Sequence, residues 1–321
     1  MSFLVILISL AVNYLWLRDH DRFDDGWFFR FRHRMEQTSS ELSAKLPVSW
    51  PINLLLIYGI PLTTLILLLL FIAGKAYGIP TMLVHILVLL VAFDRTQPGQ
   101  LARQFLTRWR QNDVEGCEEL VRLEFAVPVD TAFESPAQLG SYFSKQLTYR
   151  WFERLFVMFF WYMVGGPVAT LICYITYQLR DSHGQDQAVK EVAIIDWAIA
   201  LLEWLPLRLL ALTFSLAGNF VTCFERMKQS FWSFSKDFAA ADMLAAYAGC
   251  ALSGLITEYS QDIDDNEEAT AASEALAVTA APLNEEQRQV AAELAALRGL
   301  LERSQAIWLA VLALITIFAI P

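Results

Sequence analysis

The sequence predicts an all-α, polytopic integral membrane protein with about four to six membrane helices, plus interfacial and cytoplasmic amphipathic helices. Of its 321 residues, 56% are hydrophobic and only 18% are charged, whereas soluble domains average roughly 25% charged residues. Residues 52–74 and 155–179 contain no charge at all. Each of these two runs exceeds the roughly 20 residues that a helix needs to cross a bilayer.

The N-terminal part of the chain supplies the first three predicted membrane helices. Residues 1–17 lack a basic start and a small-residue cleavage pattern, so we interpret them as a retained helix rather than a signal peptide. Residues 18–35 combine arginines with aromatic residues at helical spacing, which is typical of a helix at the membrane interface. The runs 52–74 and 79–93 are joined so closely that they must be antiparallel neighbours.

The middle of the chain alternates polar and apolar segments. Residues 94–150 predict three amphipathic helices, whose apolar stripes are packing faces. The apolar run 155–179 contains a Gly-Gly-Pro interruption at 165–167. We expect a further crossing within 192–224, followed by amphipathic helices over 226–256.

The last part of the chain divides into a linker and a helix. Residues 258–303 hold eleven acidic residues against three arginines, which accounts for most of the net charge of −10. The predicted domains are a helical membrane domain over 1–258, an acidic disordered linker over 259–283 and a C-terminal segment over 284–321. That segment is an amphipathic helix that runs into the last membrane helix, and Asn284 is its expected N-cap.

The distribution of basic residues predicts the orientation. If the six apolar runs all cross, residues 18–51, 94–154 and 225–303 share one side and carry 6, 8 and 6 Lys or Arg. The other side carries only Lys75, Arg180 and Lys190. The positive-inside rule therefore places the first set of segments in the cytoplasm.

The segment LLEWLPLRLL (201–210) places Glu203, Pro206 and Arg208 in a stretch that otherwise reads as buried helix. Ionisable groups inside a membrane are costly and face protein or water. One interpretation is a broken or re-entrant helix whose elbow lines a cavity or the cytoplasmic interface. The other interpretation is a structural kink with an arginine that extends to the membrane surface. The sequence leaves both open.

The known catalytic and metal-binding motifs do not occur in this sequence. There is no GxxxxGK[ST], GxGxxG, HExxH or GxSxG pattern, and the four cysteines lack metal-type spacing. We therefore predict no metal, no cofactor and no catalytic residue. We also predict no nucleic-acid partner, and the lipid bilayer is the expected partner.

Two separated motifs resemble the AmpE and CobD/CbiB group of bacterial inner-membrane proteins. The first is FFWYMVGGPVATLICYITYQLR (159–180), and the second is LLEWLPLRLLALTFSLAG (201–218). The residues that carry the resemblance are Trp161, Gly165, Gly166, Pro167, Trp204, Pro206 and Arg208. It covers most of the chain except about 259–283. Four of these residues, Trp161 and the Gly-Gly-Pro, form its structural motif.

The CobD/CbiB branch implies an alternative function, namely a membrane enzyme of cobalamin biosynthesis that attaches aminopropanol to a corrinoid carboxylate. That branch carries polar elements before and after its Gly-Gly run and an aspartate pair before the P-x-R. The corresponding positions here read TYRWFERL (148–155), YITYQL (174–179) and Ile199–Ala200. The resemblance to AmpE is therefore the better one, and it favours a protein without enzymatic activity.

The AmpE branch implies a multi-pass regulator in the bacterial inner membrane. Such a protein modulates β-lactamase induction in response to cell-wall recycling, with a functional link to the amidase AmpD. We expect a ligand or partner to bind on the cytoplasmic side, for example an anionic muropeptide or a lipid headgroup. The candidate binding residues are Arg208, Glu203, Trp204, Pro206, Arg150, Arg154 and Arg95.

Overall fold

The computed structural model describes residues 2–15, 26–43, 50–74, 78–93, 98–125, 127–128, 131–182, 189–220, 223–224, 228, 239–253 and 285–318. Helices dominate these residues, and none of them lies in a β-strand. The all-α prediction is therefore confirmed. Arg95, the predicted linker at 259–283 and the expected N-cap Asn284 lie outside the described residues.

Eleven α-helices are assigned in the described part of the chain. They are α1 (Ser2–Leu15), α2 (Gly26–Ser43), α3 (Trp50–Ile72), α4 (Ile79–Ala92), α5 (Pro98–Arg110), α6 (Val114–Phe125), α7 (Pro136–Trp151), α8 (Met158–Asp181), α9 (Val189–Ala217), α10 (Ala240–Leu252) and α11 (Glu285–Phe318). A π-helical turn, Phe152–Val157, joins α7 to α8.

Within the described residues, three stretches are long and apolar enough to cross a membrane, namely Ile52–Ile72, Pro136–Asp181 and Lys190–Ala217. Two shorter helices, Ile79–Ala92 and Ala240–Leu252, are also apolar. The first stretch belongs to α3, which exposes large apolar side chains such as Leu55, Leu70 and Phe71. Such a surface is stable only in contact with lipid or with another apolar partner.

The chain divides into two compact units. Unit 1 comprises Met1–Arg95, Glu153–Pro206 and Thr316–Pro321. Unit 2 comprises Thr96–Phe152 and Leu207–Ile315. In unit 1, α3 and α4 pack against α8, α1 packs against α4, and α2 packs against α3.

Unit 2 has an apolar core built from α5, α6, α7 and α11. The rings of Phe105 and Phe143 stack with centroids 4.0 Å apart, and the Trp109 ring also stacks with Phe105, with centroids 5.2 Å apart. The indole N–H of Trp109 donates to the Gln287 carbonyl at 3.0 Å, which attaches the first turn of α11 to this core. The predicted apolar stripes of 94–150 are thus packing faces, as expected from their helical spacing.

The predicted crossing at 155–179 is wrong, because this run folds back on itself. In a continuous helix, Glu153 and Arg180 would lie roughly 40 Å apart at 1.5 Å per residue. Instead, Arg180 Nη2 lies 2.8 Å from Glu153 Oε2. The reversal occurs at Gly166, whose backbone is non-helical (φ 65°, ψ −156°). Residues 153–181 therefore form a helical hairpin, with an incoming arm (153–165) and an outgoing arm (167–181).

The interpretation of 192–224 as a broken or re-entrant helix is also corrected. Helix α9 is continuous over Val189–Ala217 and contains Pro206 within it. A proline inside a helix removes one backbone donor and frees the carbonyl four residues earlier. The helix continues here because the N–H of a side chain outside α9 donates to the freed carbonyl, as described below.

Candidate functional site

The tip of the hairpin is formed by the Gly-Gly-Pro motif. The positive φ and extended ψ of Gly166 belong to a region that is open almost only to glycine. Pro167 then begins the outgoing helix, where its fixed φ is favourable and its missing N–H costs nothing. The Thr170 hydroxyl donates to the Gly166 carbonyl at 3.1 Å. The motif therefore reverses the chain within three residues.

The open end of the hairpin carries a network of four charged side chains, which we call the hairpin mouth: Glu153, Arg154, Arg180 and Asp181. Arg180 contacts Glu153 at 2.8 Å and Asp181 at 2.9 Å. Arg154 contacts Glu153 at 3.0 Å and also pairs with Asp181. Each arginine thus binds one carboxylate on its own arm and one on the opposite arm, so the pairs close the mouth.

The hairpin mouth is buried on one side and open on the other. The side chains of Glu153 and Arg154 are 5% and 13% exposed, whereas those of Arg180 and Asp181 are 27% and 31% exposed. Ion pairs that are shielded from water are costly to break, because removing one partner leaves a charge without compensation. The incoming arm therefore supplies the fixed half of the mouth, and the outgoing arm supplies the solvent-accessible half.

Helix α2 is attached to the same end of the hairpin. Arg32 Nη1 donates to the Ser182 carbonyl at 2.6 Å and also to the Ser182 hydroxyl, and Arg32 Nε donates to Glu36 at 2.8 Å. Deeper along the outgoing arm, Trp27 stacks on Tyr174 with ring centroids 6.2 Å apart. Arg32 thus supplies donors to the end of α8, where helical carbonyls lack intrahelical partners.

The two arms are also fixed to α3 and α4 by polar contacts. The hydroxyls of Tyr58 and Thr176 lie 2.8 Å apart, which joins α3 to the outgoing arm. His85 Nδ1 lies 2.8 Å from the Tyr162 hydroxyl, which joins α4 to the incoming arm. His85 thus has a structural role, in which its ring forms a hydrogen bond between two helices.

Trp161 supplies the donor that Pro206 lacks. The N–H of an ordinary residue at position 206 would bond to the carbonyl of Leu202, four residues earlier. Pro206 has no N–H, and the indole N–H of Trp161 donates to the Leu202 carbonyl at 3.0 Å instead. The two sequence motifs are therefore joined by a hydrogen bond, and α9 continues through its proline.

Glu203 lies in unit 1 and is 5% exposed. Its Oε1 accepts a hydrogen bond from the Tyr177 hydroxyl at 2.8 Å, and the guanidinium of Arg180 lies 5.1 Å from the Tyr177 ring centroid. A buried carboxylate needs such donors to offset its loss of water. Through Tyr177, Glu203 lies next to the arginine of the hairpin mouth.

The other predicted binding residues have different surroundings. Arg208 belongs to unit 2 and is buried at 4% exposure. Arg150, also in unit 2, donates to the Glu124 carbonyl at 2.7 Å and lies over the Phe125 ring. Arg154 belongs to the hairpin mouth of unit 1, and Trp204 is half-buried in α9.

Sequence reasoning missed three residues of this region, Arg32, Glu153 and Tyr177, and considered Arg180 and Asp181 only as possible partners of Glu203 and Arg208. One signal was present. Glu153 lies thirteen residues before Gly166, and Arg180 lies thirteen residues after Pro167. The pair Glu153–Arg154 before the motif is thus mirrored by the pair Arg180–Asp181 after it. Such mirrored pairs around Gly-Gly-Pro indicate a helical hairpin. No comparable signal pointed to Arg32, which is 150 residues from Ser182.

The chemistry of the site is that of ion pairing rather than metal binding. Among the described residues, no group of three or more His, Cys, Asp or Glu side chains is arranged to hold a metal ion. Both carboxylates of the mouth are bonded to arginines. The arrangement suits the exchange of one anion for another at the two guanidinium groups.

Comparison with known proteins gives one match. The family model described as "Regulatory signalling modulator protein AmpE" matches residues 1–247, which include the hairpin and the whole of α9. No curated protein and no solved structure matches the chain.

Proposed function

The chain belongs to the AmpE family of regulatory signalling modulator proteins, and we propose that it modulates β-lactamase induction from the bacterial inner membrane. In this proposal it is a multi-pass protein that responds to cell-wall recycling and works with the amidase AmpD. It carries out no catalysis itself. It acts by binding a ligand or partner at its cytoplasmic side.

The observation that carries the proposal is the hairpin mouth. Arg154 and Arg180 are held by carboxylates of the chain itself, and Asp181 is the more exposed of these at 31%. A carboxylate or phosphate group of an anionic muropeptide can take the place of Asp181 without leaving an arginine unpaired. This exchange frees the end of the outgoing arm. Arg208 and Arg150 remain proposed as further cationic anchors.

Release of the end of the outgoing arm would be felt by the two helices that are bonded to it. Ser182 accepts from Arg32 of α2, and Tyr177 donates to Glu203 of α9. A ligand shifts a conformational equilibrium only through contacts that differ between the two states. Here the contacts that differ are the Arg154–Asp181 and Arg180–Asp181 pairs. They are present in the free protein, and contacts between the two arginines and the ligand replace them in the bound protein.

The proposal is tested by β-lactamase inducibility in a deletion strain that carries plasmid-borne variants. We expect R154Q/R180Q to abolish the effect of the protein on induction, because both guanidinium charges are lost. R298Q/R303Q is the matched control, since it removes two arginines of α11 and an i,i+4 pair of the same 2.8 Å length. Wild-type induction in R154Q/R180Q, at normal abundance, would contradict the proposal.

A second variant covers the case in which R154Q/R180Q does not accumulate in the membrane. D181N removes the counterion that the ligand is proposed to replace and leaves both arginines in place. Because the ligand then has less to displace, we expect induction at a lower inducer dose. An unchanged dose–response in D181N would also contradict the proposal.

The CobD/CbiB-like ligase remains the alternative function. In unit 1, the carboxylates of Glu153 and Asp181 are bonded to arginines and that of Glu203 accepts from a tyrosine hydroxyl. We therefore expect no growth when this chain is expressed in a ligase-null strain fed a corrinoid precursor. Growth of that strain would overturn the choice of a non-enzymatic regulator.

A further inference from the structure

We propose that the outer face of α2 binds the headgroups of anionic phospholipids. This outer face consists of five exposed side chains in the first three turns of the helix: Trp27, Phe29, Arg30, His33 and Arg34. The inference does not depend on the proposed role in β-lactamase induction. It concerns a surface of unit 1 that is separate from the hairpin mouth.

The two faces of α2 differ in how their charges are compensated. On the inner face, Phe28 is 1% exposed and Arg32 is 6% exposed, with its charge balanced by Glu36. On the outer face, neither Arg30 nor Arg34 is ion-paired within the described residues, and Arg30 Nε donates only to the Gly26 carbonyl at 3.1 Å. The outer face therefore presents two uncompensated cations beside exposed aromatic rings.

The contacts of α2 with the hairpin show how the helix is inclined. Trp27 stacks on Tyr174 and Arg32 bonds to Ser182. Tyr174 precedes Ser182 by eight residues, which is about 12 Å along a helix axis. The beginning of α2 therefore lies nearer the hairpin tip, and its second turn lies at the level of the mouth.

The mouth itself lies where the membrane-crossing stretch of α3 begins. Tyr58 of α3 contacts Thr176 of the outgoing arm. Tyr58 follows Ile52, the first residue of the apolar stretch, by six residues, and Thr176 precedes Ser182 by six. With equal rises per residue, Ile52 and Ser182 have the same depth. The mouth is therefore level with the first turn of α3.

The aromatic and basic side chains of the outer face are arranged along this direction. Trp27 and Phe29, 39% and 44% exposed, lie nearer the hairpin tip than Arg32, and exposed aromatic rings are favourable at a membrane interface. The three basic side chains of this face lie nearer the mouth. The combination of exposed aromatic rings and positive charge fits an anionic lipid surface.

The test measures lipid binding to the full-length protein in detergent by native mass spectrometry. Phosphatidylglycerol and phosphatidylcholine with the same acyl chains are the probes. A basic residue near an anionic surface contributes about 1 kcal/mol, or about fivefold in affinity. We therefore expect R30Q/R34Q to weaken the apparent Kd for the first phosphatidylglycerol at least fivefold and to leave phosphatidylcholine unchanged.

The matched control is R103Q/R110Q, which removes two exposed arginines of α5. Arg103 makes the same local bond as Arg30, from Nε to the carbonyl four residues earlier at 3.1 Å. The control should keep the wild-type preference for phosphatidylglycerol, and so should R30K/R34K, which retains the charge. Equal weakening in R103Q/R110Q, or none in R30Q/R34Q, would overturn the inference. If R30Q/R34Q does not fold, two other measurements decide. The inference is supported if the wild-type protein loses its preference for phosphatidylglycerol in high salt and R30K/R34K keeps that preference at low salt. A preference that salt does not change overturns the inference.

Discussion

At the scale of single residues, the indole of Trp161 explains how an apolar helix contains a proline. The sequence predicts that Pro206 frees a carbonyl near residue 202, and the carbonyl in question is that of Leu202. The donor could not be predicted, because Trp161 is 41 residues away in the chain and the hairpin that positions it was not anticipated. Trp161 of the first motif and Pro206 of the second thus form one structural unit.

A double-mutant cycle on Trp161 and Pro206 tests this unit. W161F keeps most of the ring volume but leaves the partly buried Leu202 carbonyl without its donor, so we expect a loss of about 1–3 kcal/mol in stability. In a P206A background the backbone N–H of Ala returns, and W161F should then cost at least 1 kcal/mol less. Thermal unfolding in detergent, followed by circular dichroism, measures all four proteins.

A second tryptophan provides the control for this cycle. The indole of Trp308 donates to the hydroxyl of Thr213 at 2.9 Å, an acceptor that no proline has freed. W308F should therefore lose the same stability with and without P206A. If P206A rescues W308F as much as W161F, or rescues neither, the hydrogen bond at Leu202 does not compensate for the proline.

At the scale of helices, the sequence predicts the existence and type of the elements better than the path of the chain. The apolar stripes of 94–150 became the α5, α6 and α7 core of unit 2. The run 155–179 was long enough to span, and length alone cannot distinguish one crossing from two short arms. The Gly-Gly-Pro interruption at 165–167 was visible in the sequence. It did not distinguish a reversal from a proline kink, because the reversal depends on the non-helical backbone angles of Gly166.

The close approach of α7 and α11 gives a prediction at this scale. A Cβ at Gly140 would lie 2.9 Å from Val290 Cγ2 and closer still to Cγ1. Because branched Val290 is part of the unit 2 core, G140A should force the two helices apart and destabilise the protein by about 1–3 kcal/mol. G249A is the control, since nothing lies within 4 Å of its new methyl group, and it should be neutral or stabilising.

Cys117 reports on the same core without a global unfolding measurement. Its thiol is buried against the Phe105 carbonyl, and burial raises its pKa to about 12. Alkylation requires the thiolate, so Cys117 should resist a maleimide at neutral pH in the wild type. In G140A, opening of the core brings the pKa back toward 9, the ordinary value, and mass spectrometry should show faster labelling. Equal labelling of Cys117 in G140A and G249A would contradict this account.

At the scale of the whole molecule, the hairpin changes the predicted topology. With 155–179 as a crossing, residues 180–191 and the basic segments 18–51 and 94–154 lie on opposite sides. The contacts of Arg154 with Asp181 and of Arg32 with Ser182 instead bring the two ends of the hairpin and α2 to one face of unit 1. Arg180 then lies on the same side as Arg32 and Arg154.

Cysteine accessibility distinguishes the two topologies. In a background with the four native cysteines replaced by alanine, we introduce T38C on α2, Q185C three residues after Ser182, and A73C at the end of α3. A membrane-impermeant maleimide is applied to spheroplasts and to inverted vesicles. Because a hairpin returns the chain to the face that it left, Q185C should label together with T38C and opposite to A73C. A continuous crossing would instead pair Q185C with A73C, and in that case the ion pairs of the hairpin mouth would not form.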